Sequence, residues 1–363
     1  MRTGTVNLPL HGGKAPRWLF SRMTNLSREI LSIMVSEYGA EEVLLRLSDP
    51  FWFQAFGCVL GFDWHSSGVT TTVCGAVKES VKGLEKDFGF FVAGGKGGTS
   101  RKTPSEIDAA AYKMGIDFSH LVYNSKIVAK VDSSALQDGY QLYHHCFFFT
   151  GNGEKWSVIQ QGMNDTNRMA RRYHWSSDEI ESFVCEPHKA ICCDGKGSTV
   201  NLVAKESDKA RDTITEISHM KPKLILKDLE KIKKYQETKF NMPKRHYINL
   251  GDIALRRLEK IFISTYEQKP KDFEKLISMP GIGPKTVRSL AMISELIYGE
   301  KYSIRDPVRF SFAHGGKDGI PFPVDRETYN KAIDILHNAL KESRVGRSEK
   351  IKAIRRLSVF YNE

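Results

Sequence analysis

The residues best placed to do chemistry lie in MPGIGPKTV at positions 279–287. Gly281 and Gly283 leave the backbone unobstructed and able to take left-handed angles, and a helix starting there presents N–H groups that attract a phosphate. Lys285 and Thr286 add a charge and a hydroxyl at the same point; a plain helical turn is the competing reading. A shorter pattern, two glycines followed by a lysine, ends at Lys14, Lys96 and Lys317. Paired glycines let the backbone aim amides at an anion, so each is either a phosphate nest or an ordinary glycine-rich turn, and none has the full Walker spacing. Arg101 and Lys102 follow the second copy and extend its positive charge. Arg168, Arg171 and Arg172 fall at three and four spacing beside Tyr173, His174 and Trp175, which reads as a basic helical face over aromatic residues. Such a face either meets phosphates, with an aromatic to stack a base, or is simply solvated.

A second set of residue types suggests divalent-metal chemistry. Asp63 and His65 are two residues apart, Asp132 and Asp138 bracket the end of an expected strand, and His144-His145 stands on the next one. A metal-dependent nuclease fits that set. Against it, a restriction-type core expects an acid-x-Lys where this chain has IQQG at 159–162. Alternation along a strand puts His144 and His145 on opposite faces, so one of them at most, His145 in this reading, joins a given site. Cys185, His188, Cys192 and Cys193 do not have the spacing of a standard zinc finger, and structural cysteines are the better account.

These residues need elements to hold them. Apolar residues at helical spacing in LSREILSIMVSEYG and EEVLLRLS predict short helices over the first sixty residues, ended at Gly39 and at Asp49-Pro50. Thr103-Pro-Ser-Glu106 predicts a capped helix start with Glu106 reaching back, closed at Gly115. Between 126 and 161, KIVAKVD, YQLYHHCFFFT and KWSVIQQ are β-branched and aromatic, and they predict a small antiparallel sheet. Beyond about residue 201 amphipathic helical patterns follow one another. The fold class is therefore α+β: a mixed domain over 1–200 and a helical domain over 201–363, with CCDGKGST at 192–199 as the linker.

The 279–287 segment, set between helical FEKLIS and RSLAMISELIYG, resembles the helix-hairpin-helix element that grips a DNA backbone without reading bases. PFPVD at 321–325, leading into RETYNKAIDILHNAL, resembles the segment that follows the hairpin in DNA glycosylases of the endonuclease III type. That resemblance implies a catalytic role for Asp325 and, as in bifunctional members, a lyase nucleophile at Lys285. Cleaving a glycosidic bond builds positive charge on the sugar, which a carboxylate stabilises, and an unprotonated lysine can attack the same carbon. An N-cap role for Asp325 and a phosphate contact for Lys285 fit the same positions. The two residues are 40 positions apart, about twice the family's usual separation, and no four-cysteine cluster follows Asp325. The whole chain also resembles the prokaryotic domain of unknown function 763 family through LPLHGGKAPRWLF, SDPFWFQAFGCVLGFDWHSSGVTTTV, AGGKGGTSRKTP, VIQQGM, ARRYHW and AHGGKDG. This family's name assigns no chemistry.

Composition narrows the partners. The 363 residues carry 54 Lys and Arg against 43 Asp and Glu, a net +11, which favours a polyanion. Residues 221–245 hold nine basic side chains against three acidic, and 341–356 seven against two, so the surplus concentrates late in the chain. The longest nearly uncharged apolar run, 51–62, falls short of the roughly 20 residues a bilayer demands, and no membrane partner is expected. The first residues lack a secretory pattern and read as part of the fold, and six cysteines are too few for a disulfide scaffold; both features point to the cytoplasm. The expected function is DNA repair by a glycosylase or glycosylase/lyase acting on damaged or structured duplex without a cofactor. The alternatives are a divalent-metal, structure-specific nuclease and a non-catalytic nucleic-acid adaptor. RNA fits the same charge.

Overall fold

The computed structural model describes residues 15–62, 67–193, 196–233, 255–308 and 326–358. Lys14, Asp63, His65, Lys317 and Asp325 lie outside the described residues.

Helix α1 (Arg17–Ser48) buries Met23, Leu26, Ile30 and Met34 along one stripe. Its helical backbone is interrupted at Gly39, at φ 85°, a conformation that costs a residue with a Cβ. Asp49 then caps α2 (Pro50–Leu60): its carboxylate accepts from the amides of Phe51 and Trp52 at 2.8 and 2.9 Å, and Pro50 fills the first position. Helices α3 (Gly68–Val81) and α4 (Glu85–Phe88) lead into strand β1 (Phe90–Lys96). After a 3-10 turn come α5 (Thr103–Met114) and α6 (Ser119–Lys130), and then a π turn over Val131–Ala135. Strand β2 (Leu136–Gln137) precedes the main meander of β3 (Gln141–Thr150), β4 (Trp156–Asn164), β5 (Met169–Ser176) and β6 (Ala190–Cys192). Sheet order is β1-β3-β4-β5-β6, antiparallel throughout, while β2 pairs with β7 (Val200–Asn201).

The remaining described helices are α7 (Asp208–Ser218), α8 (Pro222–Lys233), α9 (Leu255–Gln268), α10 (Phe273–Ser278), α11 (Pro284–Leu296), α12 (Arg326–Glu342) and α13 (Arg347–Ser358). The chain is thus α+β, with helices on both sides of a small antiparallel sheet.

Alternation along the strands divides the core in two. Phe91, Phe147, Phe149, Tyr173 and Trp175 face one hydrophobic cluster shared with α5–α11. Phe90, Cys146, Phe148 and Ile159 face the other, shared with α1–α3 and with Leu336, Leu340, Ala353 and Leu357 of the last two helices. Residue 200 falls inside β7, and the first cluster is continuous across it, from Phe91 to Val308.

Three local expectations are corrected. KIVAKVD is the end of α6 and the start of the π turn, because its apolar residues Ile127, Val128 and Val131 gather on one buried face. Glu106 does not fold back on Thr103; its carboxylate reaches across to the Gly94 amide at 2.7 Å and to Lys78 at 2.6 Å, while the Thr103 hydroxyl donates to Ser100. The 168–172 arginines are not on a helix: Arg171 and Arg172 stand on β5, on opposite faces of the sheet.

Candidate nucleic-acid interface

Residues 279–283 form a tight turn between α10 and α11. Asp272 caps α10 by accepting from the Lys275 amide at 2.8 Å, and the Ile282 amide donates back to Met279 at 3.3 Å. Met279, Ile282, Thr286 and Val287 are buried, which anchors the turn from below. Pro280, Gly281 and Lys285 are exposed at its apex. Gly281 sits at φ 84°, while Gly283 caps α11 in an extended conformation with no side-chain cap. The first amide of α11 to bond within the described residues is that of Val287, to the Gly283 carbonyl, so the amides of Gly283, Lys285 and Thr286 have no protein acceptor among the described residues. A glycine apex, a helix N-terminus and an exposed cation together suit a phosphate.

Two residues that spacing alone does not single out hold this turn in place. Lys130, at the end of α6, donates to the Ile282 carbonyl, and Gln137 of β2 donates to the Pro284 carbonyl at 2.9 Å. Burial pushes the Lys130 ammonium below its ordinary range. Tyr123 of α6 adds a third tie, donating to Glu274 at 2.6 Å. The readable signal was limited to polar residues inside an apolar segment, since their partners lie about 150 positions away.

Gly94, Gly95 and Lys96 form a separate site at the end of β1, paired with Cys146, His145 and His144 of β3, so this copy of the glycine-lysine pattern is a strand and not a turn. Gly94 has φ 90°, and a Cβ there would lie 2.2 Å from the His145 carbonyl, so no other residue fits. Glu106 and Lys78 fix its amide and carbonyl, with Lys78 donating to the Gly94 carbonyl at 2.8 Å. Lys96 lies 5.8 Å from the Tyr143 ring centre, and Arg101 and Lys102 are exposed beyond it. This strand end forms one wall of a cleft of about 1660 Å³ between α1, α3 and β1. Arg17, Arg28, Lys78, Lys96 and Arg168 line that cleft against two acids, Glu79 and Asp165. Arg168, which spacing placed with Arg171, therefore joins Lys96 instead.

Other candidates are taken up by the interior. Arg171 is 1% exposed and bridges Asp138 at 2.9 Å and Asp306 at 2.8 Å over the Tyr140 ring; Arg172 is fully buried, donating to Gln54 at 3.0 Å. Neither guanidinium reaches a surface phosphate, which corrects the reading of both as DNA contacts. Asp138 also accepts from Tyr173 at 2.6 Å. Asp132 accepts from Gln160 and from Trp175 Nε1 at 2.9 Å and lies against His188. His145 is bonded through both ring nitrogens, to Ser125 at 3.0 Å and Gln160 at 2.8 Å, and burial pushes it down to about 4. These two acids and His145 are occupied by protein donors and acceptors, not gathered about an open metal position.

Residues 4–324 match the family described as "Protein of unknown function (DUF763)", and the chain belongs to that family. No curated protein and no solved structure matches it.

Proposed function

We propose that this member of the DUF763 family binds duplex DNA by its phosphate backbone at residues 279–287 and acts on it by base excision. One observation carries the binding half: the glycine apex and Lys285 are exposed above a buried footing, with amides at the start of α11 that have no protein acceptor among the described residues. Backbone recognition of this kind is indifferent to sequence, as a protein that searches for lesions requires. The +11 net charge supplies the long-range attraction.

The chemical half rests on the sequence resemblance at Asp325 and Lys285. In that reaction the C1′–N bond breaks with its electron pair leaving on the base, and Asp325 stabilises the cationic sugar. The Lys285 amine adds to C1′, and the C1′–O4′ ring bond opens with O4′ taking a proton as the imine forms, which precedes strand cleavage. Lys285 is exposed in the free protein and so is open to an incoming strand. The nuclease alternative is weaker, because Asp132, Asp138 and His145 are already engaged within the protein.

The test is borohydride trapping on abasic-site duplex, with and without EDTA, alongside binding measured by fluorescence anisotropy at several salt concentrations. A trapped adduct that survives EDTA and disappears in Lys285→Ala supports the lyase step. No adduct in the wild type removes that step, and activity that requires magnesium favours the nuclease. Equal affinity for single-stranded RNA and duplex DNA would overturn the choice of partner.

A further inference from the structure

The sheet face toward α1–α3 holds a group of side chains that nucleic-acid binding at the hairpin does not use. Cys74 projects from α3, and His144 and Cys146, two apart on β3, project from the same face of the sheet. Their sulfur and nitrogen atoms all lie within 4.8 Å of one another. All three side chains are about 1% exposed, yet Cys74 and Cys146 also form part of the wall of the cationic cleft. We propose that Cys74, His144 and Cys146 bind a zinc ion, with its fourth coordination position open to the cleft.

An independent observation points to a ligand here. Both ring nitrogens of His144 are buried without a hydrogen-bond partner, although neighbouring His145 has both of its own satisfied. A buried polar atom left unpaired is unfavourable and uncommon, and coordination would satisfy one of these nitrogens.

The donor set selects the ion. Two thiolates and an imidazole suit zinc, with bonds of about 2.3 Å to sulfur and about 2.0 Å to nitrogen. Tetrahedral geometry then needs sulfur atoms about 3.8 Å apart, which the 4.8 Å limit on the separations of the three donor atoms accommodates. Both thiols must lose their protons to solvent, so the ion binds with release of about two protons and more tightly as pH rises. Three protein ligands and an open position form the arrangement that leaves zinc able to hold water or an anionic oxygen. The cations along the cleft, Lys96 and Arg168 among them, would draw such an anion in.

The site has not been assembled by local sequence. Cys74 and His144 are 70 positions apart in sequence, and the packing of α3 on the sheet brings the helix thiol over the strand pair. The proposal stands independently of the hairpin and of Asp325.

The experiment uses the full chain, purified under reducing conditions after expression with added zinc, and reads metal content by plasma mass spectrometry. About one zinc per chain is expected, falling to near zero in Cys146→Ser and in His144→Ala, while Cys185→Ser, outside the cluster, retains it. A measurement on the wild type covers the case in which the variants fail to fold. Cobalt(II) added to the reduced, metal-stripped chain should give the intense near-ultraviolet thiolate charge-transfer band of a tetrahedral site, with about two protons released. Loss of that band on adding excess zinc supports the assignment. Absence of the band, recovery of copper in place of zinc, or isolation of Cys74 and Cys146 as a disulfide with no bound metal would each overturn it.

Discussion

Arg171 shows how burial decides what a charged side chain does. The guanidinium is held between Asp138 and Asp306, all three side chains being at most 5% exposed, so removing it leaves two carboxylates in the interior without a cation. Arg171→Ala is expected to destabilise the fold by about 3–5 kcal/mol, measured by urea denaturation. A true phosphate contact would instead lose affinity with stability unchanged. Arg171 was visible in the sequence as an arginine near aromatics, but its role was not, because Asp306 is 135 residues away and nothing local marks the pairing. His174, on the opposite face of the same strand, carries a pH prediction. Burial, reinforced by the Arg172 charge, holds its affinity for a proton well below the ordinary histidine range. The unfolded chain binds a proton as pH falls through about 6.5 and the folded chain does not, so stability is full above that range and declines below it. His174→Phe should flatten the acid limb by up to about 1.4 kcal/mol per pH unit, read from denaturation midpoints at pH 5 to 7.

At the scale of elements, the hairpin was legible because its determinants are local: two glycines, a proline at the first helical position and flanking amphipathic runs. The KIVAKVD segment misled because β-branched residues have no strong preference once packing intervenes, and its apolar residues are spaced for a helix as well as for a strand. The capping box at Thr103 failed for a different reason, since Glu106 is drawn away by Lys78 and the Gly94 amide, partners that only the folded sheet supplies. The hairpin's stiffness also depends on distant residues. Gly281→Ala forces a Cβ into a left-handed conformation, with only ordinary contacts to Ile261 at 3.5 Å, so strain and not collision sets the penalty. Thermal melts should show a loss of about 1–2 kcal/mol, and DNA affinity should fall with it. Lys130→Met removes the donor to the Ile282 carbonyl without touching the exposed apex. Its expected effect is weaker DNA binding, with faster hydrogen exchange at the Ile282 amide. Unchanged exchange would show that the turn is held by its buried side chains alone.

Across the whole molecule, the division at residue 200 that the change of periodicity suggested meets a core that runs through it. Helices α10 and α11, which follow residue 200, pack on α6 and the π turn in the same core as Phe147, Tyr173 and Trp175, and α12 and α13 return to pack Leu336, Leu340, Ala353 and Leu357 against the N-terminal helices. Periodicity reports the type of each element, but which elements share a core depends on long-range packing that it does not encode. Residues 1–200 expressed alone would therefore expose the apolar surface of α6 and the π turn that α10 and α11 cover, together with the surface of α2 that α12 and α13 cover. Exposed apolar area of that size drives association, so the fragment is expected to aggregate or to lack a cooperative melt, whereas the full chain unfolds in a single transition. Size-exclusion chromatography with scanning calorimetry distinguishes the outcomes: a monomeric 1–200 fragment with its own sharp transition would mean that the sheet and the N-terminal helices suffice. In that case the hairpin would be carried by a separately folding unit, and Lys130 and Gln137 would be contacts across an interface rather than supports within one core.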